Sequence, residues 1–197
     1  MTDVPRSAAV QAAVEGSDPA APAPTGPRVV LVGPMGAGKS TVGSLLAQAW
    51  GLSLRDSDTD VETAAGRSIS ELFIDEGEAW FREREHEAVL LALAEHRGVL
   101  ALGGGTVLDP RTRAALTGHT VAFLEVGLAD ATRRVGLGAG RPLLLGNVRA
   151  QIKKLLDERL PVYRSVATVE VSTDGKPAEV VADEVRRAVE AREQERR

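Results

Sequence analysis

The sequence predicts an α/β protein in which a parallel β-sheet carries helices on both faces. Short apolar segments recur along the chain, and stretches with helical patterning separate them, which is typical of this fold class. The first apolar segment runs directly into a glycine-rich loop that opens a helix. With 197 residues, 43% of them hydrophobic, the chain is large enough for one domain with a substantial core.

Charge and composition exclude several classes of function. The net charge is −4 and the pI is near 5.5, so the surface as a whole does not attract nucleic acid or anionic membranes. The absence of cysteine excludes disulfides, thiolate metal sites and a cysteine nucleophile, and it fits a reducing cytoplasm. Any bound anion must therefore be held by a local site.

The amino-terminal segment, residues 1–27, is rich in Ala and Pro and shows no sustained periodicity. It lacks the basic start and continuous apolar run of a secretory signal, and no later segment approaches the length of a membrane span. We interpret it as a disordered extension, with a targeting role as the less favoured alternative. The folded domain is then predicted to cover residues 28–197.

Five strands are predicted in the remaining chain, each followed by material that can form a helix. The strands are VVLV at 29–32, LSLRD ending at Asp56, GVLAL at 98–102, TVAFLEV at 120–126 and ATVEVS at 167–172. The predicted helical segments include 39–50, a largely helical region from about 58 to 96, DPRTRAALTG and LADATRRV. This alternation predicts a parallel sheet between two helical layers.

A phosphate-binding loop is the clearest functional signal. Gly33, Gly38, Lys39 and Ser40 match G-x-x-x-x-G-K-[ST] between a strand and a helix, which is the context that this motif requires. Glycines let backbone N–H groups point inward, while the helix N-terminus and Lys39 add positive charge. The motif predicts a cradle for nucleotide phosphates, with the Ser40 hydroxyl on magnesium. A glycine-rich turn that binds nothing is the less favoured alternative.

Two aspartates lie where the second strand ends. Asp56 and Asp58 are two residues apart, so both carboxylates face the same side if strand geometry persists. One can then face the metal while the other faces a hydroxyl-bearing substrate. The alternative is structural, with Asp58 or Thr59 as the N-cap of the helix that follows.

Two further features point to an acceptor site. Arg82 precedes Glu85 by one helical turn, so the two side chains can form an ion pair. This ion pair either has a structural role alone or holds Arg82 in position to bind an anionic substrate. Three consecutive glycines, Gly103 to Gly105, follow the third strand. Ligands bind at the carboxyl ends of strands in open α/β sheets, and glycine there lets a substrate approach the backbone closely.

Taken together, the motifs resemble the shikimate kinase family in order and spacing, from about Arg28 to the end of the chain. They are GPMGAGKST, DSDTDVE, SISELF, GEAWFREREHEAVL, GGG, RPLL and ERLPVYRSVA. Gluconate and adenylate kinases share the first motif but not the set. The resemblance implies a three-layer P-loop kinase fold, with a parallel sheet of order 2-3-1-4-5 and a mobile lid at about 136–146. It also implies transfer of the γ-phosphoryl group of ATP, with Mg²⁺, to the 3-hydroxyl of shikimate, on the route to chorismate and the aromatic amino acids.

The resemblance also implies roles for single residues on the nucleotide side. Lys39 and the lid residue Arg141 would act in catalysis, while Ser40 and Asp56 would hold magnesium. Arg134 would stack on adenine, with its neighbour Arg133 as the alternative. The residues implied to bind ATP are Gly36, Ala37, Gly38, Lys39, Ser40, Thr41, Arg134, Arg141, Lys176 and Pro177.

On the acceptor side, the resemblance implies that Asp58 bonds the ring hydroxyls of shikimate and is the candidate catalytic base. Arg82 and Arg159 would clamp the carboxylate, since arginine pairs well with that group. The residues implied to bind shikimate are Asp58, Arg82, Gly103, Gly104, Gly105 and Arg159.

The residues alone leave two other functions open. The first is a kinase of another small polyhydroxy acid, such as gluconate. The second is a nucleotide-binding switch without efficient phosphoryl transfer. The combination of Arg82, Arg159 and Asp58 favours shikimate, because its one carboxylate and several hydroxyls match that set. We expect a cytoplasmic monomer with no nucleic-acid or membrane partner.

Overall fold

A parallel sheet of five strands forms the centre of the protein, seen in a computed structural model that describes residues 26–136 and 148–196. The strands are β1 (Val29–Val32), β2 (Leu54–Asp56), β3 (Val99–Ala101), β4 (Val121–Glu125) and β5 (Val169–Ser172). Their order is β2-β3-β1-β4-β5, and every neighbouring pair is parallel, as predicted. All of β1 is buried, which explains why it is a continuous apolar run in the sequence.

The helices in the described part of the chain cover both faces of this sheet. They are α1 (Lys39–Trp50), α2 (Ser57–Ala65), α3 (Ile69–Asp75), α4 (Glu78–Glu95), α5 (Pro110–Ala115), α6 (Leu128–Gly136), α7 (Val148–Val166) and α8 (Ala178–Glu195), with a 3₁₀ turn at Thr106–Leu108. The predicted helical region from 58 to 96 is three helices. Gly66 ends α2 with φ 64°, and Gly77 precedes α4 with φ 83°. Both values lie in the left-handed region that favours glycine, so the backbone turns there.

Two core clusters lie on opposite faces of the sheet and define three layers. In β1, Val29 and Leu31 pack with α1 and α8, while Val30 and Val32 pack on the side of α4 and α7. A third, smaller cluster under α2, α3 and α4 consists of Val61, Leu72 and Phe81. This small cluster supports the segment that carries Arg82.

The sheet directs its functional segments to one edge. Because all strands are parallel, the segments after β1, β2 and β3 leave the sheet at the same edge, which is where ligands bind in such folds. At this edge lie the phosphate-binding loop, the junction of β2 and α2 with its two aspartates, and the glycine run. The fold therefore brings together three predicted parts of the site.

Several predictions fall partly or wholly outside the described residues. Gly26 and Pro27, assigned to the extension, are buried, while residues 1–25 are not described. The predicted lid at 136–146, with Arg141, also lies outside the described residues apart from Gly136. Among the helices that are described, none has the length and apolar character needed to cross a membrane.

Candidate active site

The phosphate-binding loop turns on glycines with positive φ. Gly36 and Gly38 have φ 81° and 87°, and Gly38 is the residue before α1. The ammonium of Lys39 donates to the carbonyl oxygens of Gly33 at 2.8 Å and Pro34 at 3.1 Å. The lysine charge is thus held over the loop, beside the backbone that the motif predicts will contact phosphate. Ser40 and Thr41 are exposed at the first turn of α1, while Ala37 is buried beneath it.

Asp56 joins the phosphate loop to the acceptor side. Its Oδ2 accepts a hydrogen bond from the Ser40 hydroxyl at 3.0 Å, and its Oδ1 accepts from the backbone N–H of Asp58 at 3.0 Å. β2 ends at Asp56 and α2 begins at Ser57, so strand geometry does not persist to Asp58. The prediction of two strand carboxylates on one face was wrong in its geometry, and the helix cap is Asp56 instead of Asp58 or Thr59.

Ser40 and Asp56 form an oxygen donor pair that suits magnesium. A hydroxyl and a carboxylate are the hard ligands that Mg²⁺ prefers, and this ion normally keeps several waters and phosphate oxygens as further ligands. Within residues 26–136 and 148–196, no group of three or more His, Cys, Asp or Glu side chains is arranged to hold a metal. The two oxygen donors therefore fit a magnesium ion that phosphate oxygens also ligate.

Asp58 lies in an environment that disfavours its charge. Its pKa is raised from 3.8 to about 6, first by burial and then by the neighbouring carboxylates of Asp56 and Glu85, against the opposing charges of Lys39 and Arg82. At neutral pH the group is mainly ionised but much more basic than an exposed aspartate. This is the electrostatic character expected of a carboxylate that can accept a proton during a reaction.

Arg82 is held by carboxylates on its own helix. Its Nη1 donates to Glu85 at 2.6 Å, and its Nη2 lies 3.3 Å from Glu78. Glu85 is only 2% exposed, and its other oxygen accepts from the Thr106 hydroxyl at 2.6 Å. The sequence left open whether Arg82 and Glu85 brace each other, and the structure shows that they do. Because Thr106 anchors Glu85 to the loop after the glycine run, the guanidinium has a defined position.

The three glycines contact the acceptor-side residues individually. A Cβ atom on Gly103 would collide with Oδ1 of Asp58 and would lie 2.7 Å from Oε1 of Glu85. A Cβ atom on Gly105 would lie 2.5 Å from Nη2 of Arg82. A side chain at either position would therefore displace the Asp58 carboxylate or the Arg82 guanidinium.

The middle glycine uses its carbonyl group. The oxygen of Gly104 accepts from Tyr163 Oη at 2.5 Å and from Arg159 Nη1 at 3.3 Å, both of α7. This contact brings Arg159 to the same glycine run as Arg82. The two predicted clamp arginines therefore approach one segment from different helices.

The carboxyl-terminal end of α6 lies beside the phosphate loop. Arg134 donates to the carbonyl oxygen of Gly36 at 3.2 Å, to both oxygens of Thr173 and to Asp130. Arg133 pairs with Asp130, and its side chain is far more exposed, at 65% against 26% for Arg134. Of the two arginines, Arg134 is the one next to the loop. The placement on adenine itself stays a prediction.

A cleft of about 680 Å³ brings most of the predicted site together. The predicted residues that line it are Gly36, Gly38, Lys39, Ser40, Thr41, Asp56, Asp58, Arg82, Gly104, Gly105, Arg134 and Arg159. Ala37 and Gly103 lie buried behind this surface. Lys176 pairs with Glu184 at 2.7 Å, and Pro177 directly precedes α8; neither is part of the cleft lining.

Three residues that hold the site together were not predicted from the sequence. The fully buried Ser57 hydroxyl accepts from the Gly103 N–H at 2.9 Å, and Thr106 and Tyr163 make the contacts given above. For Tyr163 a signal existed, because it lies one helical turn after Arg159 and so shares its face. Ser57 and Thr106 offered no comparable pattern.

Fold and cleft together define a P-loop phosphotransferase, with a phosphate loop at one end and an arginine-rich acceptor pocket at the other. The family model described as shikimate kinase matches residues 35–190. A shikimate kinase from Salinispora arenicola is 62% identical over 159 residues, which are 81% of this chain and 95% of that relative. The chain therefore belongs to the shikimate kinase family, a family of ATP- and Mg²⁺-dependent kinases.

Solved structures agree with this assignment. Shikimate kinase from Acinetobacter baumannii, in complex with shikimate, has a TM-score of 0.81 and 32% identity, covering 86% of this chain and 96% of that one. A gluconokinase from Sinorhizobium meliloti has a TM-score of 0.53 and 17% identity, covering 85% of this chain and 93% of that one. The gluconokinase likeness shows the shared fold alone.

Proposed function

We propose that this chain transfers the γ-phosphoryl group of ATP to the 3-hydroxyl of shikimate, giving shikimate 3-phosphate and ADP. The observation that carries the proposal is the cleft itself, in which Lys39 lies with Asp58, Arg82 and Arg159. Shikimate presents one carboxylate and several hydroxyls, and the pocket offers two guanidinium groups and a carboxylate. The charges and hydrogen-bonding groups of pocket and substrate are therefore complementary.

On the donor side, the loop at 36–41 holds the phosphates of ATP. Lys39 exchanges its two backbone carbonyl partners for phosphate oxygens, and the inward N–H groups of the loop supply further donors. Ser40 and Asp56 would hold magnesium, which would neutralise phosphate charge when bound. Arg134, Lys176 and Pro177 border the adenine.

On the acceptor side, Asp58 orients the 3-hydroxyl and accepts its proton. The new bond forms between the substrate oxygen and γ-phosphorus while the bond from that phosphorus to the ADP oxygen breaks. The transition state is loose, so positioning and charge matter more than a strong base. A carboxyl group with a pKa of about 6 is ionised at neutral pH and basic enough for this task.

The carboxylate of shikimate is held between Arg82 and Arg159. Arg82 is fixed by Glu85, and Arg159 reaches the glycine run from α7. Paired charge-assisted hydrogen bonds of this kind are directional, so they orient the ring as well as bind it. The backbone of Gly104 and Gly105 then lines the pocket, with Gly103 buried behind it.

Arg141 completes the proposed site. The lid at about 136–146 carries this residue to the transferred phosphoryl group and excludes water from the reaction. We assign the kinase domain to residues 28–197 and the extension to 1–27. We also propose a cytoplasmic monomer without nucleic-acid or membrane partners; the acidic pI supports the absence of those two kinds of partner.

The decisive experiment is a coupled ADP-release assay with Mg²⁺, ATP and a panel of acceptors. The proposal predicts ADP release with shikimate and only background release with gluconate. Release with gluconate instead would favour the other kinase assignment. ATP binding without release for any acceptor would favour the nucleotide-binding switch.

A further inference from the structure

The Gly104 carbonyl oxygen receives two hydrogen bonds from one helix. Tyr163 and Arg159 lie four residues apart on α7, on the same face, and both donate to this oxygen. The tyrosine bond is short, at 2.5 Å, whereas the arginine bond is long, at 3.3 Å. The tyrosine is therefore the principal partner of this carbonyl, and the arginine, which also hydrogen-bonds the Tyr163 side chain, is the weaker partner.

Tyr163 is held firmly in place. Its side chain is 1% exposed, and its ring stacks on Phe123 of β4 with a centroid distance of 5.3 Å and an interplanar angle of 14°. Burial raises the pKa of the phenol to about 12, against the opposing charge of Arg159, a hydrogen bond with the Arg159 side chain and the charge of Arg82. The hydroxyl keeps its proton at neutral pH and so remains a donor to Gly104.

Arg159 must keep N–H donors for the substrate carboxylate. A guanidinium has five N–H donors, and a carboxylate clamp uses two of them in parallel. A strong bond from Arg159 to the Gly104 carbonyl would turn the guanidinium toward the backbone and away from the substrate. Because Tyr163 satisfies this carbonyl and also hydrogen-bonds Arg159, the guanidinium is held beside the glycine run and keeps further N–H donors for the ligand.

We propose that Tyr163 is a positioning residue, which satisfies the Gly104 carbonyl and thereby keeps the Arg159 guanidinium directed at the substrate carboxylate. This inference rests on the proposed function, because it requires Arg159 to bind the acceptor. Without the hydroxyl, the carbonyl draws Arg159 to itself. Substrate affinity then falls although Arg159 is still present.

The test is a double-mutant cycle with Tyr163→Phe and Arg159→Ala, measured with shikimate and ATP at saturating Mg²⁺. In the parent, Tyr163→Phe should lower kcat/KM for shikimate by about threefold to tenfold, mainly through KM, as expected for one lost hydrogen bond. KM for ATP should stay within about twofold of the parent. In the Arg159→Ala background, the same change should have almost no effect.

A matched control is Thr168→Val, at the amino end of β5. It removes hydrogen bonds to Val121, at 2.9 and 3.1 Å, without touching the acceptor pocket. This variant should leave KM for shikimate unchanged in both backgrounds. It separates a general loss of stability from a specific loss of positioning.

The outcomes are distinguishable. An equal effect of Tyr163→Phe in both backgrounds, or no effect in either, would overturn the positioning role. If Tyr163→Phe does not fold, Phe123→Leu loosens the stacked ring while keeping the hydroxyl, and it should show the same dependence on Arg159. An equal effect of Phe123→Leu in both backgrounds, or none, would likewise overturn the role. A parent protein that does not phosphorylate shikimate would instead refute the proposed function.

Discussion

Replacing Asp58 with asparagine should remove activity and stabilise the fold. The structure places this carboxyl group among Asp56 and Glu85 in a partly buried site, where its pKa is raised from 3.8 to about 6. Its charge is therefore unfavourable in the folded state. Asparagine has nearly the same shape as aspartate without the charge, so Asp58→Asn isolates the electrostatic cost.

The size and sign of the effect follow from the pKa in the two states. The folded protein keeps the proton up to about pH 6, whereas the unfolded chain loses it near pH 3.8. The contribution of Asp58 to stability therefore decreases as pH rises through this window. At about 1.4 kcal/mol for each pKa unit, the cost is about 3 kcal/mol above pH 6 and about half of that at pH 5.

The assay is urea unfolding of parent and variant at about pH 7.5 and pH 5, analysed as a two-state transition. Asp58→Asn should be more stable by about 2–3 kcal/mol at the higher pH, with roughly half that gain at the lower pH. The matched control is Asp60→Asn, which breaks a 2.6 Å pair with Arg55 and should cost about 0–1 kcal/mol. A pH-independent loss of stability in Asp58→Asn would refute the electrostatic reasoning.

Four further predictions concern catalysis. The value of kcat/KM for shikimate should fall as pH drops through about 6, because protonated Asp58 cannot accept the hydroxyl proton; a pH profile that is flat from 5 to 8 would contradict this. Gly105→Ala should raise KM for shikimate and not for ATP, since the added Cβ displaces the Arg82 guanidinium, and equal changes in both constants would argue against that contact. Removing Arg82 or Arg159 should weaken shikimate binding roughly tenfold to a hundredfold in calorimetry, with incomplete rescue by lysine; unchanged affinity in both alanine variants would rule out the clamp. Arg141→Ala should retain shikimate affinity but lose most of kcat, on the order of a thousandfold, and turnover within a few-fold of the parent would move the role to another arginine.

Much of the fold could be predicted because local patterns agreed with the tertiary arrangement. The buried strand at 29–32 and the loop after it carry both a hydrophobic run and a motif, so strand, loop and helix were all correctly predicted. The break of the region 58–96 into three helices was missed, although Gly66 and Gly77 mark it. Glycine signals a turn only when its φ is positive, and φ depends on the surrounding structure.

The residues of the candidate site also fall into those that the sequence predicts and those that it does not. Lys39, Ser40 and the glycine run belong to contiguous motifs, so their types and spacing could be interpreted from the sequence alone. The role of Asp56 as a helix cap depended on where β2 ends, and element ends are less predictable than elements. The contact between Tyr163 and Gly104 joins residues 59 positions apart. It exists only because α7 packs against the loop after β3, which no local pattern reveals.

Phosphoryl transfer from ATP to one hydroxyl of shikimate can be observed directly in solution. The most direct measurement is ³¹P and ¹H NMR of the reaction mixture with Mg²⁺, ATP, shikimate and the purified full chain. We predict one new phosphomonoester, coupled to the proton on carbon 3 of the ring and formed in equal amount to ADP. Inorganic phosphate in place of this ester, or a phosphate on another hydroxyl, would contradict it.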